Sequence, residues 1–362
     1  MKLQDLMPIL QSVAPLHLAE SWDNVGLLAG DLQQNITHAM LAIDYTAPVA
    51  VETRAAGCQL VIAYHPPIFD AIKRLTAPDP LFSAIRDNIA IYSPHTALDV
   101  ADGGTNDVLA DVLGLQNRRP LKPAPLLPWH YKLITFVPTA HLESLCQALF
   151  DAGAGCIGNY SHCSYRSDGI GTFFGHEGTH PAVGRPGRLE FAPESRLEVI
   201  VPSTQLQAVV AALKSNHPYE EPAFDIVQLT SPPDNKGMGR IGTLPDVRRA
   251  DLIACIKAAL GLGHVLVAGP TDGVVRSAAC CAGACGSLIN DAIAQRAGLL
   301  LTGELRHHDA LKAVAGGMTV VCALHSNSER LTLHRVAQRL AGLAPQVAFV
   351  VSQADRDPFI IL

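Results

Sequence analysis

The chain has 362 residues, with 27 Lys and Arg against 33 Asp and Glu, a formal charge of −6 with the histidines neutral. That balance excludes a broad basic surface and leaves nonspecific duplex binding little electrostatic support, so nucleic acid is not an expected partner. With 48% hydrophobic and 17% charged residues the chain can build packed cores and is too weakly charged to stay disordered. At roughly 150 residues per domain, its length implies two or three folding units.

The first segment carries apolar residues at helical spacing, Leu3, Leu6, Met7, Ile9 and Leu10, and lacks the unbroken apolar stretch of a signal peptide. No run reaches the roughly 18 apolar residues of a membrane span, so the expectation is a cytoplasmic protein with no membrane partner. SWDNVGLLAGD, with Trp22, Asp23 and Asn24, reads as a structural turn between apolar pieces. From Thr37 to Asp111 strand-like runs alternate with helical ones: HAMLAIDYT, APVAVETRAAG, CQLVIAYHPP, LFSAIRDN and IAIYSPHT. This is the pattern of βαβ units around a largely parallel sheet. NDVLADVLGL predicts a short helix stopped by Gly114, and the Pro-rich RRPLKPAPLLPW predicts a connector at a domain boundary.

A different rhythm follows. Strand YKLITFVP, helix HLESLCQALFDAG, a Gly/Ser/Tyr-rich pair of strands through NYSHCSYRSDGIGTFFG, strand RLEVIVP, helix STQLQAVVAALKSN and strand FDIVQL give a β-α-β-β-α-β order, that of a ferredoxin-like module. Within it NHPYEEPAFD, with His217, Tyr219, Glu220 and Glu221, reads first as a solvated loop, with a gate or subunit contact as the sharper alternative. A second linker, TSPPDNKGMGR, precedes a return to α/β: helix RADLIACIKAALG, strand HVLVAG, helix SLINDAIAQRAG, strand LLLTGE, strand MTVVCALHS and helix SERLTLHRVAQRLAG. The expected architecture is α/β, one core in two halves, residues 1–127 and 233–362, with a ferredoxin-like α+β domain inserted over 128–232. Of the nine cysteines, Cys280, Cys281 and Cys285 cluster in a small-residue stretch without a second clustered partner at zinc-site spacing. They read as reduced, buried thiols, with a metal or redox cluster as the lesser alternative.

Three segments place metal-ligating side chains just after apolar strand-like runs, where an α/β sheet presents its ligand crevice. VIAYHPPIF puts Tyr64 and His65 at a strand end, with Pro66 and Pro67 stopping a helix. IYSPHTALD holds His95 and Asp99, and CALHSNSER holds His325 and Glu329, each pair four residues apart. Mixed imidazole and carboxylate donors suit Zn, Mn, Fe, Co or Ni. Each residue also has a plain structural reading: Asp99 suits a turn with Asp102 and Gly103, and Ser326, Ser328 and Glu329 suit a helix cap. TGELRHHDAL sets Glu304, His307, His308 and Asp309 at a strand-to-helix junction; spacing leaves open whether it supplies ligands, a proton-transfer group or a pocket edge. No G-x-x-x-x-G-K-[ST], G-x-S-x-G or G-x-G-x-x-G fingerprint supports a kinase, serine-hydrolase or dinucleotide reading.

Taken in order, SWDNVGL, YHPPIF, SPHTALD, TGELRHHDAL and HSNSER resemble the motif set of the GTP cyclohydrolase type 2 homologue family, the Nif-three-like dinuclear metal centre proteins, from about Leu3 to the C-terminus. The insert, especially NHPYEEPAFDIVQL, resembles the PII-like or CutA-like domain of longer members. The resemblance implies one or two divalent ions per subunit, held by His65, Asp99, His325 and Glu329 and by the residue before His65. Many bacterial members have His-His there, whereas this chain has Tyr64, a poorer ligand because a phenol ionises near ~10. One metal position is therefore weakened, differently coordinated or dependent on another residue such as His95. The resemblance also implies a homohexameric toroid. The function expected is a metal-dependent hydrolase resembling GTP cyclohydrolase 1 type 2, acting on a small-molecule substrate such as a nucleotide, with Glu304, His307 and His95 as candidates for proton transfer. The alternative is a non-catalytic metal-binding or regulatory scaffold.

Overall fold

In a computed structural model the described residues are 1–124, 130–229 and 236–361. They form two compact units, Met1–Ala124 with Asn235–Leu362, and Pro125–Asp234. The boundaries drawn at 127/128 and 232/233, and most of the two Pro-rich linkers, lie outside the described residues.

The first unit contains α1 (Leu3–Val13), β1 (Gly26–Ala29), β2 (His38–Ala42), α2 (Ala47–Ala55), β3 (Leu60–Ala63), α3 (Pro80–Arg86), β4 (Ala90–Ser93), α4 (His95–Val100), α5 (Thr105–Leu113) and β5 (Gln116–Pro123). The second contains β6 (His130–Pro138), α6 (Leu142–Asp151), β7 (Ser164–Phe174), β8 (Leu189–Pro202), α7 (Leu206–Asn216) and β9 (Phe224–Gln228). The first unit then resumes with β10 (Gly237–Arg248), α8 (Arg249–Ala259), β11 (Leu266–Ala268), β12 (Val274–Ala284), α9 (Leu288–Ala294), β13 (Leu299–Glu304), α10 (His307–Ala315), β14 (Thr319–Cys322), α11 (His325–Leu343) and β15 (Ala348–Val351).

Two sheets build the first unit. One has the order β1-β4-β3-β2-β15, parallel except for β1. Strands β3 and β4 are buried along their whole length, as expected where helices cover both faces of a parallel sheet. The face toward α1 collects Leu3, Leu6, Leu10, Leu41 and Ile62; the opposite face, toward α2 and α3, collects Met40, Val49, Val61 and Ile91. The other sheet, β11-β14-β13-β12-β10-β5, has a parallel centre and antiparallel flanks. Helix α11 packs on β2 and β15 of the first sheet and on β12 and β13 of the second. It thereby brings its first turn to the carboxyl ends of strands from both.

Several elements differ from the sequence reading. Half of the first Pro-rich connector is the edge strand β5, where Pro120 and Pro123 are tolerated because an edge strand need not donate on both sides. The end of the second linker opens β10. Strand β12 was hidden by its own composition: Ala278, Ala279, Cys280, Cys281 and Ala282 are small because helices pack on a central strand. The segment 159–175 holds one strand, and RLEVIVP is the end of the 14-residue β8. Asp99 lies in α4, and not in a turn with Asp102 and Gly103. The insert has the sheet order β7-β8-β6-β9, all antiparallel, with α6 and α7 packed over Leu133, Leu197, Val199 and Val201, which is ferredoxin-like topology. In its last loop His217 is buried, with Nε2 3.0 Å from the Phe136 carbonyl, so that segment is only partly solvated.

The two halves of the first unit are tied by a buried ion pair 133 positions apart in sequence. Arg240 donates from Nε and Nη2 to the two oxygens of Asp107 at 2.8 and 3.1 Å, and from Nη1 to the carbonyls of Gly237 and Gly239. Only 2% of Arg240 and 6% of Asp107 is exposed, so neither charge has water to fall back on. Arg240→Met is expected to lower stability by about 3–5 kcal/mol, and Arg240→Met with Asp107→Leu by much less, because the single change leaves the buried Asp107 charge with only the Gly103 N–H and Arg118, 3.6 Å away, to compensate it. Urea denaturation of both variants checks this; equal losses would show that the pairing is not what matters.

Candidate metal centre

The site is assembled at the carboxyl ends of strands. His65 follows β3 and is kept in the ladder by its backbone N–H, which donates to the Ile43 carbonyl at 3.0 Å. Asp44 lies two residues past the end of β2, and Glu304 ends β13. His325 and Glu329 occupy the first turns of α11 at helical spacing i, i+4, so they share a face. Leu324, immediately before, has φ +70°, a left-handed conformation that costs a bulky residue and turns the chain from β14 into α11.

The carboxylate of Glu329 lies between two imidazoles. Its Oε2 is 3.3 Å from His65 Nε2 and its Oε1 is 3.3 Å from His325 Nε2. The far nitrogen of each ring is held in turn: His65 Nδ1 is 2.9 Å from Asp44 Oδ1, and His325 Nδ1 is 2.9 Å from Glu304 Oε1. Both rings are thus oriented by a carboxylate with Nε2 pointing at one spot, the arrangement that outer carboxylates impose on metal-ligating histidines. Glu329 is 3% exposed, and its Oε2 is buried without a hydrogen bond. A buried carboxylate oxygen in that state is what a cation would satisfy. The donor atoms of His65, His325 and Glu329 lie within 4.8 Å of one another, so the three are able to hold a metal ion. Gly283 leaves the room: at φ +57°, a Cβ there would stand 2.7 Å from Glu329 Oε1 and 3.0 Å from His325 Nε2.

The other sequence candidates are placed unequally. The Tyr64 hydroxyl is bonded to the Asp99 carboxylate, and its oxygen is 3.0 Å from Thr105 Oγ1. Burial, with the neighbouring Asp99 and Glu329 charges, pushes the Tyr64 phenol well above its usual range. Burial also pushes Asp99 up to about 6, against the lowering effect of the Tyr64 bond. His95 sits beside the cluster, its ring centroid 5.4 Å from that of His65 and 6.0 Å from that of Tyr64. Its Nδ1 is 2.7 Å from Asp23 Oδ1, and Asp23 Oδ2 accepts from the Thr96 backbone and hydroxyl. Glu304 is committed to His325. His307 opens α10 with its ring against His308, and among the described residues no hydrogen bond or ion pair ties it to the cluster. Cys280, Cys281 and Cys285 are free, buried thiols; burial pushes Cys280 up to about 12, which disfavours a thiolate site.

Sequence reasoning missed Asp44 as a functional residue and gave Asp23 only a structural role. A signal existed for Asp44: it stands just past the end of a strand in a βαβ unit, the same kind of position as His65. For Gly283 there was none.

A family model described as Duf34/NIF3 (NGG1p interacting factor 3) matches residues 1–358. The chain belongs to the Duf34/NIF3 family. Among its relatives is the GTP cyclohydrolase 1 type 2 homolog of Bacillus subtilis, 34% identical over 99% of this chain and 98% of that one. The homolog of the same name from Mycobacterium tuberculosis is 37% identical over 85% and 83%. Among solved structures, a Bacillus cereus protein related to NIF3 is 35% identical with a TM-score of 0.75, covering 100% of this chain and 99% of that one. A Staphylococcus aureus protein superposes with a TM-score of 0.84 at 27% identity over the same shares. The Duf34/NIF3 assignment therefore spans both units of this chain. Among the described residues, no helix is long and apolar enough to cross a membrane.

The protonation of the two rings gives a pH prediction for metal-stripped protein. For His65, burial disfavours the charge, but the bond to Asp44 and the Glu329 carboxylate 3.3 Å away outweigh it and raise the imidazole to about 10. His325 is raised to about 9, chiefly by Glu329 and against the effect of burial. The stabilisation from both is complete below the unfolded value of about 6.5 and is lost as pH rises through about 9 and 10. The thermal midpoint should therefore fall between pH 7 and 10, and Glu329→Gln should flatten the fall; a midpoint that rises over this range would contradict the geometry. A second prediction concerns Asp44→Asn, which should weaken metal binding by about 10–100-fold in a chelator competition while leaving the ligands in place.

Proposed function

We propose that the chain is a divalent-metal-dependent hydrolase acting on a nucleotide or related heterocycle. The observation that carries the reading is the buried Glu329 carboxylate between two imidazoles, each held at its far nitrogen by an acid. A divalent ion held by His65, His325 and Glu329 would supply Lewis acidity and hydroxide near neutral pH. The nucleotide class is suggested by the relatives, which are named GTP cyclohydrolase 1 type 2 homologs.

The residues around the ligands divide the remaining work. Asp44 and Glu304 keep His65 and His325 from turning. His95 has Asp23 behind its Nδ1, as in a histidine–carboxylate pair that passes protons, and so its Nε2 is the group we assign to accept and return a proton at the scissile carbon–nitrogen bond. His95 adopts φ +30°, an unfavourable backbone conformation held by the Asp23 and Thr96 contacts.

One observation favours the second reading, a metal-binding scaffold. The Tyr64 hydroxyl occupies the Asp99 carboxylate, which leaves a three-residue ligand set that suits holding an ion as well as using it. The experiment separates the two. Protein reloaded with Zn, Mn, Fe, Co or Ni is assayed against GTP and a panel of nucleotides and cyclic amides beside Glu329→Ala and His95→Asn. The hydrolase reading expects turnover lost with the metal in Glu329→Ala, and reduced by roughly 100-fold or more at unchanged metal content in His95→Asn. Tight metal retention with no turnover above the Glu329→Ala control would sink it and leave the scaffold.

A further inference from the structure

The inserted unit contains a cavity of about 730 Å³ that none of the metal-centre residues lines. That volume falls within the range of small-molecule sites. Its walls include the aromatic rings of Phe136, Phe173, Phe174 and Tyr219. Its charged lining is one-sided. Four carboxylates, Asp168, Glu194, Glu220 and Glu221, face a single guanidinium, Arg196, and Arg196 already pairs with Glu198 at 3.0 Å.

Glu194 is the most constrained of these groups. It is only 9% exposed, yet it lines the cavity. The Tyr219 hydroxyl donates to its Oε1 at 2.5 Å, which sets the carboxylate plane, while among the described residues its Oε2 accepts no hydrogen bond. Gly171 on β7 makes that placement possible, since a Cβ there would stand 2.0 Å from Oε2. By contrast Asp168 accepts from Ser195 and Glu220 from the His180 backbone, so their charges are partly spoken for. A largely enclosed carboxylate with one oxygen tied and the other open to the cavity offers a charge-assisted acceptor to a cation or a strong donor that enters it. Aromatic faces next to it favour a cation whose body is apolar over a hydrated metal ion.

We propose that the inserted unit carries a binding site for an organic ammonium ion with an apolar body, its nitrogen on Glu194 Oε2 and its body against the aromatic walls. The site is independent of the metal centre. A free acid or a phosphate compound is excluded from it by the four carboxylates, and a neutral analogue loses the charge-assisted bond.

The test is isothermal titration of the purified full chain with phenethylamine, and with 2-phenylethanol and phenylacetate as neutral and anionic matches. The expected result is uptake of phenethylamine, with the alcohol weaker by about tenfold or more and the anion not bound. Glu194→Gln should weaken the amine by a similar factor. Gly169→Phe should abolish its binding by filling the cavity, since Gly169 lines it and a Cβ there meets nothing within 4 Å. Equal affinity for amine and alcohol, preference for phenylacetate, amine binding that survives both cavity variants, or no uptake of any probe would each overturn the proposal. A dimer in sedimentation that blocks uptake and is dissociated by Gly169→Phe would overturn it in favour of a second copy as the occupant.

Discussion

A carboxylate with almost no solvent exposure has to be compensated, and in this chain the compensation of Glu329 organises the first unit. Burial alone would raise its carboxyl, but the contacts with His325 and His65 hold it below the ordinary range. One imidazole comes from the end of β3 in one sheet, and the other from the turn that starts α11 beyond β14 in the other. The carboxylate is therefore paired only if both sheets meet α11 in the correct rotational setting. The strain at Leu324, and the absence of a side chain at Gly283, are local costs of that setting.

The same region is braced from outside by polar links rather than by more apolar packing. Asn106, at the start of α5, donates to the Asp99 carbonyl at 2.9 Å and accepts from the Ala282 backbone at 3.0 Å. It thereby joins α4, which carries His95 and Asp99, to β12, which runs into Gly283. One residue along the chain, Asp107 makes with Arg240 the bidentate pair that closes the first half onto the second. On the C-terminal side, Asp355 accepts from the Ile43 backbone at 2.7 Å and from Arg330 at 2.6 Å, next to Asp44 in one direction and Glu329 in the other. Buried polar groups satisfied in this way are directional, so they set positions where interchangeable aliphatic contacts would not.

Much of the fold was legible because the α/β pattern alternates plainly, and because helix stops such as Gly114, with φ +69°, have a physical signature. The site was legible in part for a related reason: His65, His325 and Glu329 follow strand-like runs, where open α/β sheets present ligands. What escaped the reading shares a different trait. Strand β12 is made of small residues whose periodicity carries no amphipathic signal, and β5 is rich in proline because it is an edge. Asp23 acts through a histidine far away in sequence, so nothing in its own neighbourhood distinguishes it from an ordinary acid in a turn, and Asp44 is marked only by its place past a strand end.

Tyr64 shows how a phenol beside the candidate site is accommodated by its surroundings. A phenol in this fully enclosed position stays protonated, because burial and the nearby Asp99 and Glu329 charges all oppose its ionisation. As a neutral donor it has one use there, which is to give its proton to the Asp99 carboxylate in a hydrogen bond. That bond answers a second difficulty, since Asp99 is itself buried, and burial pushes its carboxyl up to about 6 even against the lowering effect of the Tyr64 bond. Tyrosine and aspartate are therefore matched to each other as donor and acceptor, and they stand beside Glu329, whose own contacts are the imidazoles of His65 and His325.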